Sequence, residues 1–177
     1  MKTWLLLAAL LSAAPCAALD WQPAPGDALQ RAAKATAEAF LSERPALQRY
    51  FDEAHAYAIF PRLFRAGFLF GGGGGRGVVV QGDRVIGEAS QWQLTIGAQL
   101  GGQVHAQIIF FRDAAALAAF QAGRAEFIGQ TSVAAGPFGG GVVPGYAPAV
   151  AIFNRGPAGL MLEASAGRVA YRYRPLD

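Results

Sequence analysis

Residues 91–112 read QWQLTIGAQLGGQVHAQIIFFR, and their alternation decides the fold class. Between Gln91 and Leu100 the apolar residues Trp92, Leu94, Ile96, Ala98 and Leu100 recur at every second position, with Gln93, Thr95, Gly97 and Gln99 between them. A period of two puts alternate side chains on opposite faces of an extended chain, so the stretch predicts a half-buried antiparallel strand with Trp92 on the core side. Gly101-Gly102 then either closes a tight hairpin into Gln103–Arg112 or bends one long strand. In that second segment Val104, Ala106, Ile108 and Phe110 share the expected core face.

Working outward, Asp113 is placed to cap a short Ala-rich helix ending near Gly123. Residues 132–136, 147–153, 159–165 and 168–174 read as further strands, with turns at Asn154–Pro157 and Ala166-Gly167. Towards the N-terminus the period changes to helical. Asp27 is an N-cap candidate, and Leu29, Ala32, Ala33, Ala37, Phe40 and Leu41 form one stripe, predicting an amphipathic helix over 28–42. Pro45 interrupts it and opens a second helix whose apolar face is Leu47, Tyr50, Phe51 and Ala54. Helices followed by many short strands indicate an α+β domain. The expectation is N-terminal helices packed on a strongly curved, barrel-like, mainly antiparallel sheet rich in glycine.

The first residues have a different character. Lys2, the apolar run Trp4–Ala14 and the small residues that follow have the layout of a secretory signal peptide. The run is shorter than the roughly 20 residues a membrane-crossing helix needs. Cleavage is expected after Ala18, which divides the chain into a leader, 1–18, and a single domain, 19–177. The protein is then exported across the inner membrane, to the periplasm. A lipoprotein acylated at Cys16 is the alternative, disfavoured by Pro15 beside it. Cys16 is the single cysteine and lies within the leader, so no disulfide or cysteine-based metal site is expected.

The 15 basic and 12 acidic residues give a formal net charge of +3, and loss of Lys2 with the leader lowers it by one. The basic residues form no dense cluster of the kind nucleic-acid binders carry, so no nucleic-acid partner is expected. Gly71–Gly75, followed by Arg76-Gly77, lacks the Lys-Ser/Thr pair of a phosphate loop, and Val78–Val80 after it is a strand rather than a helix. No nucleotide is expected there. The run reads as a wide turn or bulge between strands Gly67–Phe70 and Gly77–Gln81.

Acid–base groups are sparse. His55 follows Asp52 and Glu53, but neighbours on a helix point apart, so no metal site is assigned. His105 lies on the polar face of its strand. Ser132 and Ser165 stand in no nucleophile-elbow pattern. No catalytic residue, metal or cofactor is assigned, and a binding module is expected rather than an enzyme.

The remaining signal is basic and aromatic. Phe60–Phe68 (FPRLFRAGF) sets Arg62 and Arg65 among large apolar groups, with Arg76 beyond the glycines. If Pro61 starts a helical turn, Arg62 and Arg65 share a face and form a two-arginine phosphate clamp; if the segment is extended, they lie on opposite faces. A second row, Arg168, Arg172 and Arg174, shares one strand face opposite Val169, Tyr171 and Tyr173. Arg62, Arg65 and Arg76 are the first candidates for head-group binding, and the second row is the alternative.

The order of these segments resembles the SYLF domain family. The resemblance rests on AHAYAIFPRLFRAGFLFGGGGGRGVVV at 54–80, on Gly97, Gln99, Gly101 and Gln103 in LTIGAQLGGQ, and on Ser132, Val133, Ala134, Gly136 and Pro137. It implies a non-catalytic lipid-binding domain whose eukaryotic relatives bind phosphoinositide membranes and, in some cases, actin filaments. It also implies membrane contact through an amphipathic N-terminal helix. In residues 27–44, Asp27, Glu38 and Glu43 balance Arg31, Lys34 and Arg44. The resemblance implies a phospholipid or another amphipathic anion as the partner, with an envelope protein as the alternative.

Overall fold

A computed structural model describes residues 19–123, 149–156, 159–161 and 168–176; within these, the side chains at 65, 67–71, 94–103, 159–161 and 168 lie outside the description. The leader and the segment containing Ser132–Pro137 fall outside it.

The helical layer follows the periodicity. Helix α1, Ala28–Glu43, starts where the Asp27 carboxylate accepts from the Gln30 amide, satisfying one of the free N–H groups of the first turn. Its stripe of Ala33, Ala37, Phe40 and Leu41 is buried. A 3₁₀ turn, Pro45–Leu47, leads into helix α2, Gln48–Glu53. Helix α3, Ala114–Gln121, is capped by Asp113 through the Ala116 amide in the same way.

The sheet is built on one very long hairpin. Strand β1, Ala56–Gln81, runs antiparallel to strand β2, Arg84–Phe111. Gly82 and Asp83 alone connect them, and Gly82 has φ of +59°, at the first loop position where a type II′ hairpin turn favours glycine. Strand β3, Val150–Gly156, pairs with residues 106–111 of β2 and carries β4, Gly159–Met161, on its other edge. Strand β5, Arg168–Pro175, pairs with residues 87–94 of β2. All described pairings are antiparallel, which bears out an α+β domain. The described strands follow an open path, β1-β2-β3-β4, with β5 beside β2, so no closing pair makes a barrel among the described residues.

Strand pairing decides three local readings. Gly71–Gly75 is not a turn: the five residues stay in the ladder opposite Thr95 to Gln91. Gly101 and Gly102 take the second of their two expected courses and stay within one long strand, paired with Gly67 and Ala66. Pro61 does not begin a helical turn. The chain remains extended, with a register shift between Phe60 and Leu63 that accommodates a residue lacking the ladder N–H.

Both faces of the hairpin's base are buried. On one side Tyr57, Ile59, Val78, Val80, Ile108, Phe110 and Phe153 pack beneath α1, the 3₁₀ turn and α2, with Trp21 and Tyr50. On the other, Ala58, Phe60, Leu63, Val79, Ile109 and Phe111 pack against Leu117 and Phe120 of α3 and Tyr171 of β5. The continuous apolar runs at 78–80 and 108–111 are the sequence counterpart of this two-sided burial. The register of β3 is marked by a polar pair within it, as Gln107 donates to Asn154 at 2.8 Å directly across the ladder. The sheet also folds onto itself. A Cβ on Gly77 would collide with the Ile59 carbonyl oxygen and come within 2.7 Å of the Phe60 ring, so only glycine permits that approach.

Candidate functional site

The face of the hairpin that α1 covers emerges from its cover at the glycine run. Val78 is fully buried, whereas Arg76, two residues earlier on the same face, is exposed. Opposite Arg76 lies Ser90, and opposite Ser90 on the far side lies Arg172 of β5. One step along the hairpin, Trp92 stands between Gly74 and Ala170. Neither neighbour has the bulk to cover an indole, and Trp92 is 70% exposed. Phe64 is 53% exposed. An open groove of about 670 Å³ is lined by Phe64, Gly72–Gly75, Arg76 and Ser90–Gln93.

The phase of the β2 strand here is the reverse of the expectation. Trp92 faces outward, while Gln91 and Gln93 are 3% and 6% exposed. Gln91 pairs with Gly75 and with the buried Tyr171, so its face continues the inner cluster of Ala89 and Tyr171. Val104 is likewise on the surface, opposite Phe64. Trp92, the most exposed aromatic residue among the described residues, was hidden from sequence reasoning by its apolar character. The small residues that flank it become neighbours only through strand pairing.

The arginines are distributed as follows. Arg62 is exposed in the bulge before Leu63. Arg65 pairs with Gln103, and its side chain lies outside the described residues, as does that of Arg168. Because the segment is extended, the helical geometry required for an Arg62–Arg65 clamp is absent. Two members of the separate rows meet instead. Glu88 accepts from Arg76 at 2.7 Å and lies 3.1 Å from Arg174. Both guanidinium groups are well exposed, at 67% and 70%, whereas the Glu88 side chain is 19% exposed. The Arg76 hydrogen bond, helped by Arg174, holds the Glu88 carboxyl below its ordinary range. Sequence reasoning missed Glu88, which becomes the hub of the face only when pairing sets Arg174 opposite it.

Other candidates take structural places. His55 is hydrogen-bonded to Gln81, ring nitrogen to amide nitrogen at 2.8 Å. Among the described residues no group of three or more His, Cys, Asp or Glu side chains is placed to hold a metal ion. Among the same residues no helix is long and apolar enough to cross a membrane. The apolar stripe of α1 is committed to the core, and Lys34 on that helix donates to the carbonyls of Leu19 and Trp21. Membrane contact through that apolar stripe would therefore require α1 to leave the sheet.

Comparison with known proteins agrees with the resemblance carried by the motifs. A family model described as Ysc84, Las17-binding protein actin regulator, matches residues 92–166. The chain is also 28% identical over 127 residues to the Beta cell expansion factor A of Aeromonas veronii. That alignment covers 70% of this chain and 48% of the relative, so it spans about half the relative's length. Residues 92–166, from the exposed indole of β2 onward, thus match the model of the Ysc84, or SYLF, family.

Proposed function

We propose that this protein is a non-catalytic binding module that takes a phospholipid, or another amphipathic anion, on the exposed face shared by β1, β2 and β5. The observation that carries the reading is the exposed Trp92 and Phe64 beside exposed Arg76, Arg172 and Arg174. An amphipathic anion requires an apolar contact and a cationic contact side by side. Indole rings suit a boundary that is apolar at one end and wet at the other. Each arginine near an anionic surface contributes about 1 kcal/mol, screened by salt. The family match supports a binding role, lipid and actin binding being the roles associated with SYLF domains.

Arg62 and Arg76 remain in the proposed head-group set. Arg172 and Arg174 join them ahead of Arg65 and Arg168, whose side chains are not described. Export through residues 1–18, with a start at Leu19 and a periplasmic destination, belongs to the same proposal. Intact mass of the protein recovered from the envelope tests it, since retention of the leader or acylation at Cys16 gives a different mass.

Sedimentation with vesicles of phosphatidylglycerol and phosphatidylcholine, against phosphatidylcholine alone, tests the lipid reading. Saturable binding to the anionic vesicles that weakens with salt is expected, and Arg172→Glu should weaken it further. Absence of binding at every composition would refute it. A protein partner in the envelope would then be the better reading, since an exposed tryptophan in a polar surround also suits a protein interface.

A further inference from the structure

We propose that Glu88 is a specificity-determining residue that sets how densely anionic a surface must be before this face binds it. The proposal rests on the anionic-surface reading above and concerns a residue outside the basic and aromatic set.

The geometry is specific. Glu88 lies opposite Val78 on one side and opposite Arg174 on the other. It stands at the rim where the helical layer ends, with most of its side chain out of solvent while the two arginines extend into it. Its carboxylate is hydrogen-bonded to Arg76 and ion-paired with Arg174, so one negative group occupies two of the exposed cations of the face. Arg172, next to the cluster, pairs with Ser90 instead.

A ligand phosphate must share or displace the Glu88 contacts to engage Arg76 or Arg174. At a sparsely charged surface one anion replaces another and the net gain is small. At a densely charged surface several phosphates meet the face together, and their summed attraction outweighs the carboxylate. Glu88 therefore acts as an internal competitor that the surface must outnumber. It also holds the two guanidinium groups in place, so these two cations are ordered before a ligand arrives.

The test titrates phosphatidylglycerol into phosphatidylcholine vesicles and measures the proportion at which half of the protein sediments. Glu88→Gln keeps the size and one acceptor oxygen while removing the charge. Its half-binding proportion should fall below that of the unmutated protein, with affinity at a fixed low proportion rising about fivefold. Glu88→Asp keeps the charge and should return the threshold towards the original. Melting curves of each variant identify any loss of fold, and the Asp variant provides the comparison if the Gln variant is destabilised. If the unmutated protein binds and Glu88→Gln binds at the same threshold or a higher one, the role assigned to Glu88 is wrong. If the unmutated protein binds at no proportion, the anionic-surface reading itself falls.

Discussion

Replacing Trp92 with alanine tests the proposed surface directly. With 70% of the residue exposed and an indole side chain of about 200 Å², about 140 Å² is available for burial in a ligand or membrane boundary. At about 25 cal/mol per Å², complete burial would contribute about 3.5 kcal/mol. A planar surface reaches roughly half of a ring that stands on a sheet, which leaves about 1.7 kcal/mol, or a loss of roughly fifteenfold in affinity on truncation. Folding should be little affected, because the neighbours Gly74 and Ala170 make few contacts that truncation could remove. The assay is vesicle sedimentation of both proteins, with tryptophan emission recorded alongside. In protein lacking residues 1–18, and so Trp4, the other tryptophan, Trp21, is fully buried, so a blue shift on adding anionic vesicles should come from Trp92 and disappear in Trp92→Ala. Equal affinity of the two proteins, or an unchanged emission spectrum in the bound state, would refute placement of the indole at the boundary.

Three further outcomes follow from the geometry. Gly77→Ala should lower stability by about 2 kcal/mol, a fall of roughly 4–8 °C in melting temperature, whereas Gly72→Ala, whose Cβ would meet only a carbonyl oxygen 3.9 Å away, should be close to neutral; calorimetry distinguishes them. Asp27→Ala removes the cap from α1 and should cost about 1 kcal/mol, measured by denaturant unfolding. The carboxyl of Glu88 is held below its ordinary value in the folded chain, so its stabilisation is present above the unfolded value of about 4.3 and lost as pH falls through the lower folded value. The melting-temperature gap between the unmutated protein and Glu88→Gln should accordingly be widest near neutrality and close in acid.

The helical layer was legible because local chemistry and core packing agree there. Asp27 caps, the stripe through Ala33, Ala37 and Phe40 has helical spacing, and the same residues are buried. Alternation in β5 was legible for the same reason, with Tyr171 buried and Arg172 and Arg174 exposed. The glycine run misled because isolated glycine favours turns, whereas here the pairing with Gln91–Thr95 holds it extended. Trp92 misled because burial depends on neighbours across the ladder. The long hairpin itself was signalled by Gly82-Asp83, a short loop with glycine at its first position, which the periodicity of the flanking strands overshadowed. Glu88 had no local signature, since both partners of its carboxylate reach it from other strands.

The length of that hairpin has a consequence for assembly of the fold. Zipping that starts at Gly82 must pass through five glycines before it reaches the residues around Ile59 and Ile108. A run without side chains cannot sense its own alignment, and a slip of one residue would carry Trp92 inward and Gln91 outward, the arrangement that hydrophobicity alone would favour. Alignment must therefore be anchored at the two ends, by Val78–Val80 near the loop and by Phe60 and Phe110 near the base, with the irregularities at 60/63, 68/70 and 79/80 acting as detents between them. The exposed indole is thus a product of long-range registration: strand pairing across the whole hairpin decides which side of the sheet carries it.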